Sequence, residues 1–212
     1  IYAPELNYPK KSGVAYLLGP KYQPVRKAFW NVPDRQIKDN IETVMITFGG
    51  DDVRELTPII LKLLTEKYPY LNKRVIVGKG FSGRCVADIE KYSDNNTRLI
   101  YNADAEQMKN TMLESDIAIS AAGQTLFELT VTRTPVIAVK VVDNQDNNVK
   151  GFLDSGFISY AGDWQEDEII VNIEKGIDKL SSKNERKNKS EIGKKLICKN
   201  NFDLVDFVLQ KI

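Results

Sequence analysis

From Glu42 onward, short apolar runs alternate with longer segments whose apolar positions recur every three or four residues. Thr43–Phe48 is apolar enough to be buried on both faces and stops at Gly49-Gly50, which predicts a core strand ending in a tight turn. Arg54–Tyr68 follows with Leu56, Ile59, Ile60, Leu63 and Leu64 on one side, predicting an amphipathic helix. Next come strand Arg74–Val77, a weaker helix at Val86–Lys91, strand Thr97–Tyr101, and helix Ala105–Glu114 carrying Met108, Met112 and Leu113 inward. Strand Asp116–Ser120, helix Thr125–Thr132 and strand Val136–Val139 continue the alternation. Helix Asn147–Asp154, the short apolar stretch Phe157–Tyr160 and amphipathic helix Glu166–Leu180 complete it.

Strands and helices in strict alternation fold into a parallel sheet through right-handed crossovers. The expected fold class is therefore α/β, a Rossmann-like doubly wound, mainly parallel sheet of about five or six strands. Residues 1–40 read differently. They are irregular, with a short apolar strand expected within Tyr16–Tyr22, closed by Gly19-Pro20, and a short helix around Val25–Phe29. They read as a linker from an N-terminal domain, and residues 41–212 as the domain itself. The charged run Ser181–Lys195 is expected to be a solvated turn plus an exposed helix face. Asn201–Ile212 reads as a last amphipathic helix docked by Leu204, Val205, Val208 and Leu209.

Composition narrows the function. A net charge of +1 argues against nucleic-acid binding, which needs a concentrated positive field. No apolar run has the length of a transmembrane helix, and no signal peptide opens the chain. Cys85 and Cys198 are too few for a disulfide framework; two free thiols in a reducing, cytoplasmic setting are expected. There is no histidine, which removes Ser-His-Asp and Cys-His chemistry and any His-ligated metal. The chain opens at IYAPEL without an initiator Met and is expected to be a fragment.

Ligands of doubly wound sheets bind beyond the carboxyl ends of the strands, so the loops there carry the chemistry. Asp116–Leu129, DIAISAAGQTLFEL, compresses a strand, a small-residue turn and a helix start into one stretch. Its small residues allow close backbone approach, and the N–H groups of the first helical turn suit a phosphate. Glu128 lies one turn into that helix, placed to accept two hydroxyls as a ribose offers. The structural alternative is that Thr125 and Glu128 form only a capping box. In TFGGDD, Gly49 and Gly50 allow close approach; Asp51 and Asp52 could accept sugar hydroxyls or cap the helix. VGKGFSG, Val77–Gly83, offers Lys79 to a phosphate or is a plain surface loop. In VVDNQDNN, Asn144 and Gln145 offer amides to a sugar, while Asp143 or Asp146 could cap the next helix.

Six segments in order carry a family resemblance: LLGPKYQPVR at Leu17–Arg26, ITFGGDD at Ile46–Asp52, YNADAEQM at Tyr101–Met108, SDIAISAAGQTLFEL at Ser115–Leu129, TPVIAV at Thr134–Val139 and DNQDNN at Asp143–Asn148. Together they resemble the C-terminal half of a GT-B-like nucleotide-sugar enzyme. The resemblance is to the UDP-sugar hydrolases of pseudaminic acid biosynthesis and their spore-coat polysaccharide relatives, themselves similar to MurG-type glycosyltransferases. It implies that UDP or a UDP-sugar is bound, with Gly49, Gly50 and Asp51 at the diphosphate and sugar. It implies Ile100, Tyr101 and Asn102 at the uracil edge with Met108 nearby. Ser120, Gly123, Gln124 and Thr125 would belong to the diphosphate turn, Glu128 to the ribose, and Asn144 and Gln145 to the sugar. No cofactor and no metal is implied. The catalytic histidine of the hydrolases lies on the N-terminal domain, the implied partner of this one, so no catalytic residue is expected in this chain. A GT-B glycosyltransferase would share almost all of these donor-side residues, and a non-enzymatic nucleotide-binding module is the third reading. One departure is Ala122 where the family turn usually has a second glycine.

Overall fold

A computed structural model describes Tyr2, Pro9 and residues 11–197. Six strands form one parallel sheet: β1 Thr43–Thr47, β2 Asn72–Val77, β3 Thr97–Tyr101, β4 Ile117–Ala121, β5 Val136–Lys140 and β6 Ile158–Asp163. Their spatial order is β3-β2-β1-β4-β5-β6, so the winding reverses between β1 and β4. Seven α-helices follow: α1 Leu56–Lys67, α2 Gly83–Tyr92, α3 Ala105–Glu114, α4 Thr125–Val131, α5 Asp146–Asp154, α6 Ile169–Ser181 and α7 Lys183–Leu196. The short apolar stretch Phe157–Tyr160 is thus the start of the sixth strand.

The pleat sorts each central strand's side chains onto two faces. Val44, Ile46, Ile117, Ile119, Ile137 and Val139 point into the core under α1, α2 and α6. Met45, Ala118, Val136 and Ala138 point the other way, into the core under α3, α4 and α5. Every residue of β1 and of β4 is buried, which is why both read as unbroken apolar runs rather than alternating ones.

Several expectations need correction. In α1 the buried residues are Leu56, Thr57, Pro58, Ile60, Leu61, Leu63 and Leu64, and Ile59 faces solvent at 47% exposure. The covered face reaches round to Leu61 on one side of Ile60 and stops short of Ile59 on the other. Leu113 is half-buried, whereas Met108 and Met112 are buried. Tyr16–Leu18 forms no strand. Gly19 has φ +104, and the chain turns there into the short 3-10 segment Pro20–Tyr22. A second 3-10 turn, Lys27–Phe29, replaces the expected helix and buries Phe29 with Met45, Met108 and Met112.

The charged run is the largest departure. It forms α7, and two of its cations are buried, Arg186 at 1% and Lys189 at 2% exposure. Arg186 donates to the carbonyls of Leu180, Lys38 and Asp39. Lys189 donates to those of Gly156 and Ile158, both at 3.0 Å. Burial pushes the Lys189 ammonium down to about 8. The expected helix Asn201–Ile212 and Cys198 lie outside the described residues. Cys85 is a buried free thiol, pushed up to about 12 by burial and by Asp52 nearby.

Residues 33–42 run along the edge of the sheet where the strands begin. Arg35 caps two helix C-termini, donating to the carbonyls of Met112 in the last turn of α3, of Ser115 just after it and of Thr132 after α4, and to the Thr134 hydroxyl. Burial lowers its guanidinium to about 10. Arg133 donates to Asp34 and to the Pro33 carbonyl. The Asp116 carboxylate accepts the N–H groups of Glu42 and Thr43, fixing where β1 starts.

At the opposite edge the first two strand-to-helix loops are pressed together. Gly80 N–H donates to the Gly50 carbonyl at 3.0 Å, and a Cβ on Gly78 would lie 2.2 Å from that same oxygen. Gly78→Ala should therefore force the loops apart and cost about 1–3 kcal/mol. Gly50→Ala, whose added Cβ meets nothing within 4 Å, should leave stability nearly unchanged. Urea unfolding midpoints of the two variants check the contrast.

Lys189 predicts a pH dependence. The unfolded chain holds this proton up to about pH 10.5, the folded chain only to about 8. Between those values the unfolded state binds more protons, so this group makes stability rise with pH. In Lys189→Met that component should vanish. The test is the wild-type minus variant difference in unfolding free energy from pH 7.5 to 10.5, which should grow in favour of wild type.

Candidate functional site

The loops after β1, β2 and β3 and the start of α4 surround a cleft of about 570 Å³ at the β1/β4 reversal. Thr47 and Gly49–Asp51 line it from β1, and Ile76 and Gly78–Gly80 from β2. Asn102–Asp104 and Met108 approach from β3 and α3, Thr125 and Glu128 from α4, and Arg26 from the segment ahead of β1.

Local chemistry explains each wall. Gly49 turns the chain at φ +80, a region that costs any residue with a Cβ. Asp52 does not reach into the cleft with Asp51. Its carboxylate accepts the N–H groups of Leu56 and Thr57 at 3.1 and 2.8 Å, anchoring the start of α1. Burial pushes that carboxyl above its ordinary range. Arg54 ties the same loop to the far side of the sheet, donating to the Val141 carbonyl and stacking 3.8 Å from the Trp164 ring centre. Asn102 sits at φ +51, and Asp104 forms a reciprocal capping box with Gln107 at the start of α3.

At α4 the capping-box alternative does not occur. Gln124 is the N-cap residue and makes no side-chain cap. The N–H groups of Leu126 and Phe127 are already bonded to the carbonyls of Gly123 and Gln124, so the donors left to face a ligand lie ahead of Leu126. Glu128 is buried at 5% exposure, and its two oxygens accept from Nε and Nη2 of Arg26 at 2.7 and 3.0 Å. Ala122 needs no positive φ. Among the described non-glycine residues that conformation belongs to Asp52, Glu55, Asn102 and Arg133, so the departure from a second glycine costs no strain.

Of the residues singled out from sequence, Gly49, Gly50, Asp51, Asn102, Met108, Thr125 and Glu128 line one cleft. The others lie around it. Gly123 and Gln124 form the turn at its edge, with Gln124 bonded to Gln23 and to the Pro24 carbonyl. Ile100 packs against the second core, and Tyr101 points outward, its hydroxyl on Glu90. Ser120 is fully buried and donates to the Ala121 carbonyl. Gln145 is buried, its carbonyl accepting Val141 N–H at 2.9 Å and its amide nitrogen turned toward Gly123. Asn144 is exposed beside it. Asp143 and Asp146 do not cap α5; both face Lys140, which Asp163 also meets, and Asp146 and Asp163 raise the lysine well above its ordinary value.

Sequence reasoning missed Arg26 as a wall of the cleft, although it ends the LLGPKYQPVR segment. Its partner is 102 residues away, and nothing local marks the pair. The cleft thus offers backbone donors, the cation Lys79, the Arg26–Glu128 ion pair and the carboxylates Asp51 and Asp104. That set suits an anionic group flanked by hydroxyls. Among the described residues no His, Cys, Asp or Glu cluster could hold a metal, and no helix is long and apolar enough to cross a membrane.

Comparison with known proteins agrees with this layout. The chain is 30% identical over 137 residues to the Helicobacter pylori pseudaminic acid cytidylyltransferase and UDP-2,4-diacetamido-2,4,6-trideoxy-beta-L-altropyranose hydrolase, spanning 65% of this chain and 24% of that protein. Acinetobacter baumannii MurG superimposes with a TM-score of 0.61 at 17% identity, over 87% of this chain and 52% of MurG. Arabidopsis thaliana UGT89C1, solved with UDP-L-rhamnose, gives 0.56 at 14% identity, over 82% and 44%. At these identities the two structures speak for the fold alone: a doubly wound GT-B-like C-terminal domain. The model of the glycosyltransferase family 28 C-terminal domain matches residues 43–201, three quarters of the chain, and the chain belongs to that family.

Proposed function

We propose that this chain is the donor-binding domain of a GT-B glycosyltransferase, holding the UDP part of a UDP-sugar in the cleft at the β1/β4 reversal. The observation that carries this reading is Glu128, buried one turn into α4 and facing the same cleft as Gly49, Gly50, Asn102 and Thr125, within the span matched by the family. Glu128 binds the ribose hydroxyls. Gly49, Gly50 and the turn Gly123–Thr125 meet the diphosphate, Asn102 and Met108 the uracil, and Asp51, Asn144 and Gln145 the sugar. The chain spans 24% of its Helicobacter relative and about half of MurG. Residues 1–40 lead from an N-terminal domain that completes the cleft and supplies the catalytic group, in a cytoplasmic enzyme of polysaccharide biosynthesis.

The chemistry is substitution at the anomeric carbon with UDP as leaving group. A diphosphate needs little protonation to leave, and backbone N–H groups offset its growing charge. A transferase directs a sugar or lipid hydroxyl to that carbon; a hydrolase directs water. A second reading, hydrolysis of a UDP-2,4-diacetamido-trideoxyhexose, draws on the 30% identity to the bifunctional Helicobacter protein and on the segment LLGPKYQPVR.

Two outcomes are expected. Glu128→Ala should weaken UDP binding by the intact, folded protein by roughly tenfold to a hundredfold, the equivalent of about 1.5–3 kcal/mol for a charged hydrogen bond. Glu128→Gln, which keeps one acceptor, should lose less. Calorimetric titration decides, and equal affinity for wild type and Glu128→Ala would remove the ribose role. In the second experiment UDP release is followed with and without an acceptor. Release that requires the acceptor identifies a transferase, release into water a hydrolase, and both should require the N-terminal half.

A further inference from the structure

Among the described residues the Arg26 guanidinium has two partners, Glu128 and the Phe29 ring. Nε and Nη2 reach both oxygens of Glu128, and the guanidinium carbon lies 5.4 Å from the centre of the Phe29 ring, itself buried. The segment carrying Arg26 is also held at both ends. Gln23 and the Pro24 carbonyl bond to Gln124 on one side of it. Arg133 holds Pro33 and Asp34 on the other, and Arg35 beyond them donates to the Thr134 hydroxyl. Glu128 therefore meets its cation through a stretch of chain that runs from the cleft to the opposite edge of the sheet.

A glutamate's last torsion is broad and roughly two-fold, so a lone carboxylate has no set plane. A planar guanidinium bonded to both oxygens sets one. A carboxylate offers about four lone-pair directions; the guanidinium takes two and leaves two, enough for a vicinal diol. We propose that Arg26 is a positioning residue for ribose recognition, fixing the plane of the Glu128 carboxylate so that its free lone pairs face the two ribose hydroxyls. This rests on the reading of Glu128 as the ribose-binding group. The preset geometry lowers the ordering cost of binding, and it makes discrimination for the 2′-hydroxyl depend on a residue outside the matched family span.

The test compares UDP, 2′-deoxy-UDP and uridine by calorimetry on the intact protein, as wild type, Arg26→Met, Arg26→Lys and Glu128→Gln, with folding checked by thermal unfolding. Wild type should prefer UDP over 2′-deoxy-UDP by about tenfold, the size of one hydrogen bond. Arg26→Met should bring that preference below about threefold, and in Arg26→Lys, which keeps the charge, the UDP-to-uridine ratio should stay within about twofold of wild type. Arg26→Lys keeps the charge and loses the fork, so it should also lose most of the preference; should the methionine variant fail to fold, the lysine variant decides alone. Full preference in either Arg26 variant overturns the proposal. A collapse of the UDP-to-uridine ratio with the preference intact does so too, by showing a direct contact to the diphosphate. No preference in wild type, or an undiminished one in Glu128→Gln, fails the ribose reading itself and takes the proposal with it.

Discussion

The parallel pairing of β1 with β4 is the constraint on which the molecule turns. Because the winding reverses there, the chain leaves β1 for one face of the sheet and β4 for the other, and their loops part. The gap between Gly49–Asp51 and Thr125–Glu128 is a consequence of topology before it is a consequence of any side chain. Both strands are buried throughout, so the reversal sits in the buried centre of the sheet. Pressing the β2 loop onto the β1 loop through Gly78 and Gly80 then gives the gap a second wall.

Charge is used in an unusual way around this frame. Arg186 and Lys189 are buried and Arg35 is half-buried, yet their hydrogen bonds go chiefly to main-chain carbonyls at helix ends and turns. Such carbonyls have no partner within the helix, and a cation there also meets the negative end of the helix dipole. The three side chains thereby close the edge of the sheet away from the cleft. At the cleft the arrangement differs: Glu128 is the buried charge, and Arg26 comes to it from a segment far away in sequence.

The sheet was legible because parallel strands announce themselves twice, by apolar density and by the glycines that stop them. Strand Thr97–Tyr101 and helix Ala105–Glu114 match their predicted bounds residue for residue. The departures share a cause. Ile59 turned outward because which flank of α1 is covered depends on neighbouring helices. The run Ser181–Lys195 looked solvated because hydropathy counts a lysine or arginine as exposed. It cannot register that Gly156, Ile158, Lys38 and Asp39 present carbonyls at the right places.

Sequence by itself determined the α/β class, the alternation, the loops that line the cleft and the position of Glu128 one turn into α4. These follow from local periodicity and from the steric demands of glycine, which a single stretch of chain carries. Tertiary structure alone decided that Asp52 anchors α1 while Asp51 faces the cleft, and that Ser120 and Tyr101 stand apart from it. It also decided that Arg26 closes on Glu128. Each of these depends on a partner tens of residues away or on which side of a strand is left open, and no local pattern encodes either.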